Sequence, residues 1–321
     1  MTMSTTHVER GLFTRVPRLR DLVPFVPLAD GLPTPVEEVD DGLYVLRDDL
    51  SDSHYGGNKV RKLEFSLAIA QRRGGPVLTA GAIGSHHVYA TAVHAARLGL
   101  HVEAVRFPQP ETDHVREMDE RTSALANLTE VRIAHSYLMP FALARRRAAI
   151  ERDGGYAVLP GATSPIGALG YVSAGIDLVD AFAASGWAEP DEVVVALGSG
   201  GSAVGLAIGL AIAGWNHAVV NAVRVADALV TNRVVLGAHA AGTFAILAAG
   251  GWMPRHARVA IDTRWFGPGY GVPTDAGARA TEVGAGLGLA VEPTYTAKAL
   301  AAALDSWRAG KRVVFVQTFA S

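Results

Sequence analysis

The segment Tyr55-Gly56-Gly57-Asn58-Lys59-Val60-Arg61-Lys62-Leu63-Glu64 gathers the side chains best suited to chemistry in this chain. Of the 29 basic residues only Lys59, Lys62, Lys298 and Lys311 are lysine, and two of those four fall here. A reaction that needs a primary amine therefore has four candidates. Lys59 and Lys62 stand at i and i+3, neighbours on one face if the segment is helical. The charge of one then lowers the proton affinity of the other, which suits a pair in which one amine is nucleophile or base and the other holds an anion. A solvated basic turn is the plain alternative, because lysine is mostly exposed.

A second concentration is Gly198-Ser199-Gly200-Gly201-Ser202, which follows Val193-Val194-Val195-Ala196-Leu197 and precedes an apolar stretch. Backbone N–H groups in such a loop, together with a helix N-terminus, can cradle a phosphate without a cation. No lysine follows, so it is not a Walker loop. Gly198, Gly200 and Ala203 also fit a dinucleotide fingerprint, with Asp227 a candidate ribose ligand, which keeps a nicotinamide cofactor open. Ser85-His86-His87 follows a further glycine loop at a helix start; adjacent histidines point to different sides of a helix, so no metal site is expected. Ser85 also reads as an ordinary helix N-cap. Tyr270, in Gly267-Pro268-Gly269-Tyr270-Gly271, and Tyr295, in Thr294-Tyr295-Thr296, are placed in loops.

The elements that must position these residues alternate. Short β-branched runs read as strands over 76–80, 101–105, 130–134, 156–159, 192–197, 219–225, 258–262 and 312–317. Between them, 89–98, 140–152, 168–184, 203–213, 231–249 and 298–308 have helical composition. Nearly all-apolar strands, each followed by a helix, imply an α/β protein with parallel sheets covered on both faces. The 321 residues are 49% hydrophobic and 19% charged, a globular composition with room for one large domain or two ordinary ones. A net charge of −2 gives no reason to expect a nucleic-acid partner. The absence of cysteine removes disulfides, thiolate nucleophiles and cysteine metal sites. The uncharged stretch 193–215 is long enough to span a bilayer, but its glycine loop makes a buried strand, turn and helix the better reading. The first 20 residues carry Arg10, Arg15, Arg18 and Arg20 without an apolar core, so no secretory signal is expected and a cytoplasmic location is.

Gly56-Gly57-Asn58-Lys59-Val60-Arg61-Lys62-Leu63-Glu64 resembles the signature of the D-cysteine desulfhydrase and 1-aminocyclopropane-1-carboxylate deaminase family of pyridoxal-phosphate enzymes. The likeness extends along the chain in order: 18–34, 80–100, Pro160-Gly161-Ala162-Thr163-Ser164-Pro165-Ile166-Gly167, 198–202, 267–273 and 292–298. It implies a tryptophan-synthase-β-like fold (fold type II) with two domains of parallel-rich, open, twisted sheets and the cofactor in the cleft. Residues 1–52 with 161–321 would form the large cofactor-binding domain and 53–160 the small one. The resemblance assigns Lys59 to the Schiff base with the cofactor and to the Cα proton. It assigns Lys62, Gly198, Ser199, Gly200, Gly201 and Ser202 to the phosphate, with Asn58 also at the cofactor. Ser85 would meet the substrate carboxylate or assist proton transfer, Tyr270 and Tyr295 would line the reacting side, and Thr318 would meet the pyridine nitrogen.

Two positions bear on the branch. The deaminase branch has Tyr-Glu where this chain has Tyr295-Thr296, and that glutamate keeps the ring nitrogen protonated for ring opening. Neutral hydroxyls at Thr296 and Thr318 favour β-elimination from a small amino acid instead, giving pyruvate, ammonia and the leaving group. Two departures bear on the substrate. His86 replaces the asparagine that meets the cofactor's phenolic oxygen, and Phe319-Ala320 replaces a glycine pair. β-Replacement or elimination from another amino acid, and binding without turnover, stay open beside the desulfhydrase reading. Relatives of this family imply a homodimer and no membrane partner.

Overall fold

The computed structural model describes residues 10–253 and 258–319; Ala320, of the departure just noted, lies outside them. Among these residues ten strands form two sheets. They are β1 (Val36–Asp40), β2 (Leu43–Leu46), β3 (Val77–Ala82), β4 (Val102–Phe107), β5 (Leu128–Arg132), β6 (Tyr156–Ala157), β7 (Glu192–Leu197), β8 (Val219–Arg224), β9 (Val259–Asp262) and β10 (Val313–Val316). One sheet has the order β1-β2-β10-β7-β8-β9 and the other β5-β4-β3-β6. Every pairing is parallel except β1 with β2. That hairpin departs from the alternating pattern read from the sequence. Its edge strand carries Glu37, Glu38 and Asp40, charges that also discourage pairing with another chain.

The central strands alternate between two cores, as a sheet covered on both faces requires. Val193, Val195, Val314 and Val316 face one core, whereas Val194, Val313 and Phe315 face the other. The helices are α1 (Gly11–Arg15), α2 (Leu19–Leu22), α3 (Asn58–Arg73), α4 (His86–Arg97), α5 (Asp113–Ser123), α6 (Met139–Arg152), α7 (Pro165–Ser185), α8 (Gly201–Ala213), α9 (Arg233–Ala249), α10 (Asp275–Gly286) and α11 (Thr296–Arg308). Helices α1, α7 and α8 cover the first face and α11 the second. The uncharged stretch 193–215 is indeed β7, a glycine loop and α8. Helix α7 is long and apolar enough to cross a membrane, but 72% of its apolar window is buried inside the protein.

Helix α3 matters most for the site. It crosses α7 where Gly170 stands, and a β-carbon there would lie 2.1 Å from the carbonyl oxygen of Arg61. Its core neighbours include Leu28, Ala29 and Leu32 of the N-terminal segment as well as Val77 and Val102 of the smaller sheet. The segment read from sequence as either a basic turn or a helix is therefore a helix, and a buried one.

Candidate active site

Helix α3 begins after Gly57, whose φ of 85° is a backbone state that favours glycine. Asn58 is thereby placed at the helix start, and its backbone N–H donates to the carbonyl of Thr318 just beyond β10. Its side-chain Nδ2 donates to Oγ of Ser202 at 3.1 Å, and Nζ of Lys62 donates to the same oxygen at 3.2 Å. Two separate motifs, 144 positions apart in the chain for Asn58 and Ser202, thus meet at one hydroxyl. Ser202 lies in the first turn of α8, whose N-cap is Gly200 at φ 90° and whose first turn carries no acid. The positive end of that helix is left open to an anion.

Neither Lys59 nor Lys62 forms an ion pair among the described residues. Lys59 is half-buried, with Nζ 5.7 Å from the centre of the Tyr295 ring. Desolvation lowers its pKa to about 8 against a smaller upward pull from the Glu292 carboxylate. Burial, reinforced by the charge of Lys59, holds Lys62 well below the usual lysine range. The side-chain oxygen of Asn58 is buried without a hydrogen-bond partner among the described residues. Two uncompensated amines, an unspent amide and an open helix N-terminus around a glycine loop are what a phosphate-bearing group with an aldehyde would answer.

The tyrosines stand where they can act on Lys59. Tyr270 and Tyr295 share a hydrogen bond of 2.7 Å between their hydroxyls, and burial raises the pKa of both. A β-carbon at Gly198 would lie 3.1 Å from the Tyr295 ring, so a glycine there lets the loop pass close beneath it. Ser199 is tied to Thr163 at 2.5 Å, which joins the glycine loop at 198–202 to the turn at 160–163. Gly161 also has to be glycine: its φ is 71°, and a β-carbon would lie 2.2 Å from Oγ of Ser199.

Ser85 is the N-cap of α4, its Oγ accepting from the N–H of Val88 at 3.4 Å. His86 and His87 do diverge. His87 Nε2 meets Thr79 Oγ1 at 2.8 Å, while His86 is bonded through Nδ1 to the Tyr55 hydroxyl and through Nε2 to Nε2 of His114 at 2.8 Å. Phe319 meets both of these imidazoles edge-on, at 5.1 and 5.9 Å. Asp227 stands exposed on the turn after β8, where its carbonyl accepts from Val230 and Thr231.

Sequence reasoning missed three contributors. The buried Glu292 accepts from the backbone N–H groups of Thr294, Tyr295 and Thr296 at 2.6–3.0 Å, so it caps α11 and seats Tyr295. The hydroxyl of Thr296 accepts from the N–H of Glu292 at 2.8 Å, which commits it to the same cap. An acid followed by proline just before an apolar helix was the available signal. Tyr55 opens the lysine segment without a role of its own there, and His114 gave no signal, because both meet His86 only in three dimensions.

Residues 28–318 match the family described as pyridoxal-phosphate dependent enzyme. The chain belongs to that family. It is 34% identical to a D-cysteine desulfhydrase of Salmonella typhi over 302 residues, covering 91% of this chain and 89% of that one. The desulfhydrase of Salmonella schwarzengrund is 35% identical over the same coverage. Among solved structures, an ACC deaminase homologue superposes with a TM-score of 0.77 at 26% identity, covering 97% of this chain and 95% of that chain. Threonine deaminase isoform 2 from Solanum lycopersicum, at 15% identity and a TM-score of 0.63 over 99% of this chain and 91% of that chain, shares the fold. The fold is that of type II pyridoxal-phosphate enzymes, and the nicotinamide reading gives way to the cofactor this family uses.

Proposed function

We propose that this enzyme is a lyase that eliminates the β-substituent of a small amino acid, as a D-cysteine desulfhydrase does, releasing pyruvate, ammonia and the leaving group. The observation that carries the proposal is Lys59, an amine with no ion-pair partner among the described residues, held beside Tyr295 with its pKa drawn down to about 8. The likeness to the Salmonella enzymes supports the substrate class.

When bound, pyridoxal phosphate supplies an aldehyde for an amine and an electron sink for the electrons left at Cα. Lys59 is the amine that would bond that aldehyde and would hold or release a proton at Nζ, because near neutrality its lowered pKa leaves a useful neutral fraction. Lys62, Ser202 and the N-terminus of α8 would hold the phosphate end, with Asn58, Gly198, Ser199, Gly200 and Gly201 completing that wall. Tyr295 presents its ring to Lys59 and its hydroxyl to Tyr270, Ser85 at the start of α4 would meet a substrate carboxylate, and Thr318 lies beside Asn58. Glu292 spends its oxygens on backbone N–H groups, and Thr296, where the deaminase branch has glutamate, offers a hydroxyl and no carboxylate. That supports elimination over ring opening.

The separate sheet formed by β3–β6 supports a small unit at 53–160 and a larger one from 1–52 and 161–321. We infer a homodimer as well. Leu229 is 88% exposed and Val234 81% exposed, and α9 carries a single formal charge, Arg233, in 17 residues. A surface this apolar suits a second copy. The cytoplasmic location expected from the sequence belongs to the same proposal.

An absorption spectrum with and without D-cysteine tests the function. The loaded protein should be yellow, its band should change on addition, and pyruvate and sulfide should appear together. A yellow protein that gives neither product from D-cysteine, yet turns over another member of an amino-acid panel, replaces the substrate. Sedimentation of the chain as a monomer at micromolar concentration would remove the dimer.

A further inference from the structure

Lys298, the third residue of α11, stands where an amine is costly. Its side chain is wholly buried, and it forms no ion pair among the described residues. A cation in the first turn of a helix also opposes the helix dipole. Glu292, which caps the same helix, pulls on it without pairing. An apolar side chain would fill this space at less cost, so what sets the amine apart is the hydrogen bond it donates. Nζ donates to the carbonyl of Phe266 at 2.7 Å and lies 5.7 Å from the centre of the Phe266 ring.

Phe266 belongs to the loop 263–274 between β9 and α10, which carries Tyr270. The loop is fastened at both ends. The backbone N–H of Arg264 and Nε1 of Trp265 donate to the Asp262 carboxylate at 3.0 Å, and Thr274 caps α10 by accepting from the N–H of Gly277 at 3.1 Å. Between these ends the backbone bonds of the loop are long, 3.5 Å from Phe266 to Thr263 and 3.3 Å from Val272 to Gly269. Glycine stands at 267, 269 and 271, with φ of 72° at Gly267 and 74° at Gly271, so little in the local chain fixes where Tyr270 goes. The Tyr270 hydroxyl nevertheless lies 2.7 Å from that of Tyr295, which immediately precedes α11 and is seated by Glu292. Lys298, one turn further along α11, bridges the two segments that bring the tyrosines together.

We propose that Lys298 is a positioning residue of the active site: by holding the Phe266 carbonyl against α11 it sets the loop so that the Tyr270 hydroxyl meets Tyr295, whose ring faces Lys59. The inference rests on the reading that these tyrosines serve the reaction at Lys59. Removing the amine frees the middle of the loop and lets Tyr270 leave its partner, while Lys59, Lys62 and the glycine loop at 198–202 stay in place. The loss therefore falls on turnover and spares the hold on the cofactor.

The test compares the loaded wild-type enzyme with Lys298→Met, Tyr270→Phe and the double variant Tyr270→Phe/Lys298→Met. Lys298→Met should keep the visible band and lose about 10–100-fold in kcat/KM for D-cysteine, the scale of a group displaced by an ångström. Against Tyr270→Phe it should add less than about twofold, whereas a residue that serves only the fold would subtract as much from either background. Hydrogen exchange of the cofactor-free protein gives a reading without turnover. Amides of 264–272 should exchange at least about tenfold faster in Lys298→Met, with those of α7 and α8 unchanged. Since the chain has no cysteine, Lys298→Cys can be alkylated at that position alone, in urea before refolding with cofactor. The aminoethyl product rebuilds the amine, and the propyl product has its shape without the donor. The first should exceed the second in kcat/KM by the same factor, with wild type taken through the same cycle as reference. Equal activity of the two products, equal losses in both backgrounds, or unchanged exchange overturns the proposal. A Tyr270→Phe enzyme as active as wild type overturns the tyrosine reading and this inference together, whereas a defect in Tyr270→Phe with none in Lys298→Met overturns this inference alone.

Discussion

One helix, α3, carries two sets of buried charge within seven residues, and they are treated in opposite ways. Arg61 donates to Asp48 at 2.9 Å, to Asp177 at 3.0 Å and to Thr34 at 2.9 Å. Asp48 in turn accepts from Thr34 at 3.0 Å and from the Tyr171 hydroxyl at 2.5 Å. Glu64 is held by Arg10 and by the backbone N–H groups of Leu28 and Ala29. On the other side, among the described residues, Lys59 and Lys62 have no carboxylate partner, and Lys62 has a single hydroxyl within hydrogen-bond reach. A buried charge with a full set of partners ties elements together. A buried charge without them costs stability until a ligand supplies the partner. The difference separates scaffold from site without reference to any relative.

That contrast can be broken from either side, and the largest effect belongs to Lys59. Lys59→Ala with excess cofactor should lose the visible aldimine band and at least about 10³-fold in kcat, as loss of a nucleophile commonly does. A variant within tenfold of wild type would mean that the amine is not the reacting group. On the scaffold side, Asp48→Ala leaves Arg61 and Tyr171 short of a partner and should cost about 3–5 kcal/mol of unfolding free energy in urea. A cost below about 1 kcal/mol would put Asp48 among the dispensable surface charges.

Lys62→Met should act the other way round. The cofactor-free protein should unfold no more easily than wild type, because a desolvated amine has gone, while cofactor affinity falls about 10–100-fold for a lost charge-assisted contact. Equal losses in both would make Lys62 scaffold.

The pH dependence sharpens the same point. The native pKa of Lys59 lies near 8, below that of an unfolded lysine near 10.5. Between those values the native state binds fewer protons than the unfolded one, so stability relative to Lys59→Met should rise with pH across that window. The rate at which cofactor-free protein takes up cofactor should climb through about pH 8 and level off above it. A flat rate from pH 7 to 9 would contradict the lowered pKa. The smallest effect is expected at Lys311, whose ammonium pairs with Glu192 near the surface. Lys311→Ala should shift stability by less than about 1 kcal/mol and leave the spectrum unchanged.

Legibility from sequence followed locality. Strand β7 falls where its apolar run predicts it, and β3, β4, β8, β9 and β10 lie within two residues of expectation at each end. Helices α3, α5 and α10 gave no comparable signal. In α3 the polar residues are buried nearly all the way round, so it has no solvent face to mark its period. Helix α5 is dominated by charge, and α10 by glycine and alanine. At the site, Lys59, Lys62 and the glycine loop stood out by composition. Lys298 did not reveal its part: it is buried and donates to the carbonyl of Phe266 at 2.7 Å, which ties α11 to the loop that carries Tyr270.

The sequence alone determined that the chain is an α/β protein, that a pair of lysines and a glycine loop are its chemical assets, and that they resemble one cofactor family. These are properties of short windows, where side-chain period and backbone permissiveness act directly. Only the tertiary structure decided which charges are compensated. The partners lie far apart along the chain, 116 positions between Arg61 and Asp177 and 144 between Asn58 and Ser202. It also decided that Glu292 caps α11 and that His86 is gripped by Tyr55 and His114. Burial and pairing are sums over the whole fold, and no window of sequence contains them.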